Sequence, residues 1–301
     1  MAEQRSLVVT ADDFGIGDAT SRAILDLAKA GRITSTVLLV TSPHAETAVK
    51  AWLRAGRGLE LGWHPCLTLD RPVAPVSQVS TLVDQSGNFW PLGTFIRQLW
   101  LGRIRPQEIE LELRAQYGRF LQMVGQVPSV VNAHHHVQIF EPVGSILRGI
   151  LNRQQPLPYI RRIREPFRTL WHITGARLKR AFLSTLGGRD ARQQRHDGFP
   201  GNDWLAGITD PPYTADPKFL ARWIQRVPGK VVELTCHPGY FDRSLIGRDC
   251  QADDGQLQRR VHEFGLLSGA DFLSRCREAG FELTPPAALS SYQISRPANA
   301  A

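Results

Sequence analysis

The feature of this chain that most restricts its fold is a repeated succession of short β-branched runs and amphipathic helical patches, with chemically active side chains following the runs. Ser6 to Ala11 reads as a strand and leads into Asp12-Asp13-Phe14-Gly15-Ile16-Gly17-Asp18, after which apolar residues recur at helical spacing through Ala30. Gly31 stops that helix, Thr34 to Val40 reads as a second strand, Ala45 to Ala55 as a second helix, and Leu59 to Trp63 as a third strand ending at His64. Turn-rich sequence interrupts the pattern from Pro65 to Gly93. Pro106 to Val124 then carries helical periodicity with acids in its first turn, and Ser129 to Asn132 is a short strand running into His134, His135 and His136. A helix from Pro142 to about Leu151, a strand from Tyr159 to Ile163, a helix from Lys218 to Gln225 and a strand from Val231 to Thr235 follow, the last ending at Cys236 and His237. Helices around Gln256 to Phe264 and Ala270 to Glu278 close the chain. Strands alternating with helices predict a mostly parallel sheet, either open or closed into a barrel.

With 301 residues, of which 42% are hydrophobic and 21% charged, the chain has the composition of one globular domain spanning 1–301. No stretch approaches the ~18 apolar residues needed to cross a bilayer, and Met-Ala-Glu-Gln-Arg-Ser at the start lacks the apolar core of a secretion signal. Cysteines 66, 236, 250 and 276 show no C-x-x-C spacing, which argues against a thiolate metal site or a disulfide framework and for a reducing cytoplasm.

Each polar group at a strand end has an ordinary reading. Asp12 and Asp13 fit a helix N-cap and a neighbouring acid as well as a paired carboxylate site, which would need a local bend to turn both into one pocket. His64 alone fits a hydrogen-bonded structural histidine. His134 to His136 fit an exposed polar turn, or, on a strand, two imidazoles on one face with the third turned away. His237 precedes Pro238-Gly239, a sharp turn that serves structure or function equally. Their joint placement outweighs the separate readings, because in parallel α/β folds the loops leaving the carboxyl ends of strands assemble the active site. Asp, His and His are also the ligands expected for zinc or a similar divalent ion with open coordination positions.

Thr10-Ala11-Asp12-Asp13-Phe14-Gly15, Ile33-Thr34-Ser35-Thr36, Gly62-Trp63-His64 with Leu67-Thr68, Asn132-Ala133-His134-His135-His136-Val137, and Glu233-Leu234 with His237-Pro238-Gly239-Tyr240 together resemble the YdjC-type carbohydrate deacetylases, nearly from end to end and in order. That family includes chitooligosaccharide deacetylases and hopanoid-associated enzymes. The resemblance implies a distorted (β/α) barrel related to polysaccharide deacetylases, and hydrolysis of the acetyl group of an N-acetylated amino sugar in an oligosaccharide or glycolipid. It implies one divalent ion, magnesium or zinc, held by Asp13, His64 and His134, with Asp12 as general base and His237 as general acid. His136, Arg162, Thr36 and Tyr240 are further candidates for touching substrate or bracing the ligands. Two departures stand out: Pro65 and Cys66 follow His64 where the family often has x-Asn before Leu-Thr, and Asn132 replaces the usual acid before the histidines.

The formal charge of +8 is concentrated. Between Arg161 and Asp197 ten Lys or Arg face three acids, in a basic segment reaching about residue 201. A solvated helix pair packing its apolar side on the barrel accounts for it; contact with an anionic membrane surface or a glycolipid headgroup is the sharper alternative. A non-enzymatic carbohydrate-binding protein would retain the same pocket. Nucleic acid is not expected as a partner, since no zinc-finger spacing or RNA-binding aromatic motif accompanies the charge.

Overall fold

The computed structural model describes residues 4–294 and contains one eight-stranded sheet in which every pairing is parallel. Its strands are β1 (Arg5–Phe14), β2 (Ser35–Leu38), β3 (Glu60–Trp63), β4 (Val130–Val131), β5 (Tyr159–Ile160), β6 (Trp204–Ala206), β7 (Val231–Cys236) and β8 (Phe281–Leu283). They run in the order β5-β4-β3-β2-β1-β7-β6, with β8 pairing the start of β1. The two ends of this path are stitched by Ile160 N–H to the Pro200 carbonyl at 2.8 Å and Leu205 N–H to the Arg164 carbonyl at 2.7 Å. The sheet therefore curls into the distorted, mostly parallel barrel expected, with helices outside it.

β1 is the central strand because it is apolar on both faces: Leu7, Val8, Val9 and Ala11 are all buried. The β3–β4 approach depends on Gly62, where a Cβ would fall 2.0 Å from the Val130 carbonyl oxygen. That close contact seats His64 beside the residues that follow β4.

Most elements lie where the periodicity places them, and Pro106–Val124 matches to the residue. The sequence reading passed over β6 and β8, which at three residues each are too short to show alternation, and the helices Leu92–Trp100 and Pro286–Ile294. The first of these begins inside the turn-rich stretch, its Pro91 and Gly93 masking an apolar edge of Phe95 and Leu99. In the basic segment the helices Phe167–His172 and Arg177–His196 bury Leu183 and the Ile173 that follows the first of them, as expected, but Phe167, Trp171, Leu178 and Phe182 face outward. Arg180 turns inward instead, donating to Glu165 and to the Ile173 and Gly175 carbonyls while lying 4.7 Å from the Trp223 ring. Among the described residues no helix is long and apolar enough to cross a membrane, and all four cysteines are free and buried.

Candidate active site

β1 delivers two carboxylates to one place. In a regular strand Asp12 and Asp13 would point to opposite faces, but the pairing with β2 slips between Ala11 and Phe14 and Asp13 adopts φ 67°. This bulge turns Asp13 back, so both acids line a cavity of about 400 Å³ at the carboxyl ends of the strands. Aspartate is among the few side chains that tolerate such a backbone. Both acids lie within β1 rather than just beyond it, and the bulge is the local bend that the adjacent pair required.

Asp13, His64 and His134 are buried, and one donor atom from each lies within 4.8 Å of the others. Asp13 Oδ1 is 3.4 Å from His64 Nε2 and 3.1 Å from His134 Nδ1. Ligands on one zinc-sized ion at ~2.1 Å stand roughly 3.0–3.4 Å apart, so the spacing suits a shared divalent ion. The chemistry of His64 points the same way. It donates Nδ1–H to the Asn132 carbonyl at 2.6 Å, which leaves the Nε2 lone pair facing a carboxylate, an arrangement that calls for a cation between them. Asp13 Oδ2 is taken by Arg260 at 2.7 Å. Burial alone would raise the Asp13 carboxyl, but Arg260, His134 and His64 hold it well below the usual range. For His134 the burial penalty on the charged ring is outweighed by the hydrogen bond and charge of Asp13, and its pKa rises.

His134, His135 and His136 do not continue β4, contrary to the strand reading. They open a tight turn, His134–Ile139, in which His135 and His136 take φ 54° and 58°. β4 ends three residues earlier, at Val131, and the turn brings all three rings to the cavity instead of rotating one away. His135 Nδ1 meets Thr68 Oγ at 2.9 Å, and His136 lines the wall with its Nδ1 unpartnered.

Asp12 is gripped by Arg161, whose Nη1 and Nη2 donate to its two oxygens at 2.6 and 2.8 Å while Nε donates to Glu233 at 2.7 Å. Thr235 Oγ donates to Asp12 at 3.1 Å. Burial would raise the Asp12 carboxyl, yet Arg161 prevails and holds it far below the ordinary range. Arg161 is thus the arginine of the site, and Arg162 is not. Just beyond β5, Arg162 sends its guanidinium away from Asp12, to the carbonyls of Phe199 and Gly201 at 2.6 and 3.0 Å.

His237 follows β7 and faces Asp12 Oδ2 from Nε2 at 3.8 Å. Behind it, Arg259 Nη2 lies 3.1 Å from Nδ1, and Arg259 Nε donates to Glu263 at 2.7 Å. Burial and then the Arg259 guanidinium push the His237 pKa down to about 4. Arg259, Arg260 and Glu263 all come from the helix Gln256–Ser268, where sequence reasoning registered only helical periodicity. Their signal was an Arg-Arg pair with a glutamate at i+4 of the first arginine, easily read as a solvated face. Asp249, which shares Arg260 at 2.9 Å, was also missed.

Two further candidates fall outside the cavity wall. Thr36 donates to the Ala11 carbonyl at 2.7 Å and clips β2 to β1 behind Asp12. Tyr240 is drawn away to Asp26 at 2.6 Å and packs on Phe264. The opposite flank of the cavity is apolar, with Leu92, Ile96, Phe140, Phe182, Leu183 and Ile208.

The model of the YdjC-like protein family matches residues 6–278. The chain belongs to the YdjC family. A carbohydrate deacetylase of Mus musculus is 32% identical over 296 residues, and 92% of each chain is covered. A carbohydrate deacetylase of Clostridium beijerinckii is 26% identical over 92% of this chain and 97% of its own, and a chitooligosaccharide deacetylase of Klebsiella pneumoniae is 24% identical over 93% and 97%. Among solved structures, a protein of Enterococcus faecalis V583 proposed to be a cellobiose-phosphate cleavage protein shares the fold, with a TM-score of 0.76 and 22% identity over 95% of this chain and 99% of that one.

Proposed function

We propose that this YdjC-family chain is a carbohydrate N-deacetylase that hydrolyses the acetamide of an N-acetylated amino sugar with the help of one divalent ion. The observation that carries the reading is the meeting of Asp13, His64 and His134 beside Asp12 and His237 in one cavity. Two imidazoles with one carboxylate favour zinc over magnesium on ligand softness. A divalent ion held there would lower the pKa of water and polarise the acetyl carbonyl.

The chain's own residues supply the rest. Asp12, fixed by Arg161, takes the proton of the attacking water, and His237, with Nε2 3.8 Å from Asp12, stands at the departing nitrogen. Arg260 keeps Asp13 ionised and oriented, and the Asn132 carbonyl fixes the tautomer of His64.

The apolar flank and the outward Phe167, Trp171, Leu178 and Phe182 favour an amino sugar carried on an apolar aglycone, a glycolipid presented at an anionic membrane surface to a cytoplasmic enzyme. A binding protein without turnover has no comparable use for Asp12 and His237.

An acetate-release screen over N-acetylglucosamine, chitobiose, peptidoglycan fragments and acetylglucosaminyl lipids with added zinc or magnesium tests the reading. Asp12→Asn is expected to keep the metal and lose at least ~100-fold in turnover, while His64→Ala and His134→Ala lose metal and activity together. Full activity of His134→Ala after exhaustive chelation would overturn the assignment.

A further inference from the structure

We infer that His237 works as a neutral imidazole presenting Nε2–H to the departing nitrogen, and that Arg259 is the positioning residue that holds it in that tautomer. The inference rests on the deacetylase reading for its chemistry but on the groups around the ring, Arg259 first, for the tautomer. A guanidinium can only donate hydrogen bonds, so the Nδ1 atom 3.1 Å from Arg259 Nη2 must accept, and the single ring proton resides on Nε2. The carboxylate that would otherwise draw a proton to Nδ1 is Glu263, whose Oε2 is 4.0 Å away. Arg259 Nε and the His237 backbone N–H both bond to that carboxylate, which turns it from the ring.

The other charged group in contact with the ring, Asp12, faces Nε2 at 3.8 Å and is an acceptor for the same proton. Both neighbours therefore favour one tautomer, and the low pKa of His237 agrees with a ring that stays uncharged near neutrality. Neutral imidazole is a competent hydrogen-bond donor to developing charge in enzyme sites.

A neutral His237 does not deliver the leaving-group proton, so Asp12 carries it in both directions. As the water oxygen bonds to the acetyl carbon, one water proton passes to Asp12 and the carbonyl π pair moves onto oxygen. As that pair returns, the C–N bond breaks with its electrons leaving on nitrogen, which takes the proton from Asp12 while Nε2–H steadies its lone pair. The products are the free amine and acetic acid, which ionises in water, and Asp12 is again a carboxylate.

Imidazole nitrogen NMR of the zinc-loaded, histidine-labelled protein at about pH 7 tests this, with His237 assigned by its loss in His237→Gln. The expected spectrum shows His237 Nδ1 unprotonated and Nε2 protonated, and Arg259→Met, which frees Nδ1 to donate towards Glu263, adds a second population protonated at Nδ1. A protonated Nδ1 in the unaltered protein overturns the proposal, even if Arg259→Met does not fold. His237→Gln, which keeps an N–H donor but cannot act as an acid, should retain at least ~10-fold more acetate release than His237→Ala, and equal rates would end the donor role. Absence of acetate release from every acetylated sugar would sink the deacetylase reading while the spectrum still decides the tautomer.

Discussion

Arg161 shows how much of this site depends on single side chains that sequence spacing does not resolve. It is fully buried and serves two carboxylates, with opposite consequences for them: Asp12 is held far below the usual range, whereas burial still raises Glu233. The bidentate bond goes to Asp12, and Glu233 Oε2 has no partner, so the arginine keeps the first acid ionised at the expense of the second. Arg161→Met would leave both carboxyls buried without a cation, and a loss of about 3–5 kcal/mol in urea unfolding is expected. A loss below ~1 kcal/mol would mean that water or protonation compensates them. The carboxylate and histidine groups were legible because each sits at or just past the carboxyl end of a strand. The choice between Arg161 and Arg162 was not, because both lie just past the two-residue β5, and which of them turns inward depends on where that strand pairs, Val131 with Ile160.

At the level of elements, the helix Pro106–Val124 was read from its periodicity, but its task was hidden. Its buried face carries Glu108, Glu112 and Gln116 at four-residue spacing, positions a pattern reading leaves to solvent. Glu108 accepts from Thr81 N–H at 2.7 Å, Glu112 from Val73 and Ala74 N–H at 2.9 and 2.8 Å, and Gln116 bonds Cys66 through both N–H and carbonyl. This polar stripe replaces regular structure as the anchor of the long loop after His64. Burial raises the Glu112 pKa above its ordinary value of 4.5, despite those hydrogen bonds. The folded state therefore binds this proton more tightly than the unfolded chain, so its contribution to stability is fully present below that value and is lost as pH rises through the raised pKa. Denaturant unfolding at successive pH values from 7 downward should show the stability gap between the unaltered protein and Glu112→Gln widening as pH falls. A gap that narrows would contradict a raised pKa.

On the scale of the whole molecule, groups 223 residues apart, such as Asp12 and Thr235, meet because parallel strands place all their carboxyl ends at one rim. That convergence is a property of topology, which is why the site could be anticipated when its bracing residues could not. The distribution of charge needed coordinates. Of the ten basic residues between 161 and 197, Arg161, Arg162 and Arg180 are buried, so they contribute nothing to an exposed patch. Arg168, Arg177, Lys179, Arg189, Arg192 and Arg195 remain exposed. They share their segment with two outward apolar pairs at helical i,i+4 spacing, Phe167 with Trp171 and Leu178 with Phe182, and Lys179 and Phe182 also border the cavity. Apolar groups that enter a bilayer interface beside cations worth about 1 kcal/mol each near anionic lipid should bind such vesicles and spare neutral ones. Co-flotation with anionic liposomes, weakened by the double substitution Phe167→Ser and Trp171→Ser, is the expected outcome. Acetate release from a soluble acetylated sugar should survive that double substitution, because neither residue lines the cavity. Equal flotation with anionic and neutral vesicles would remove the charge preference, and no flotation with either would remove the membrane from the account, leaving the outward apolar pairs to a protein partner.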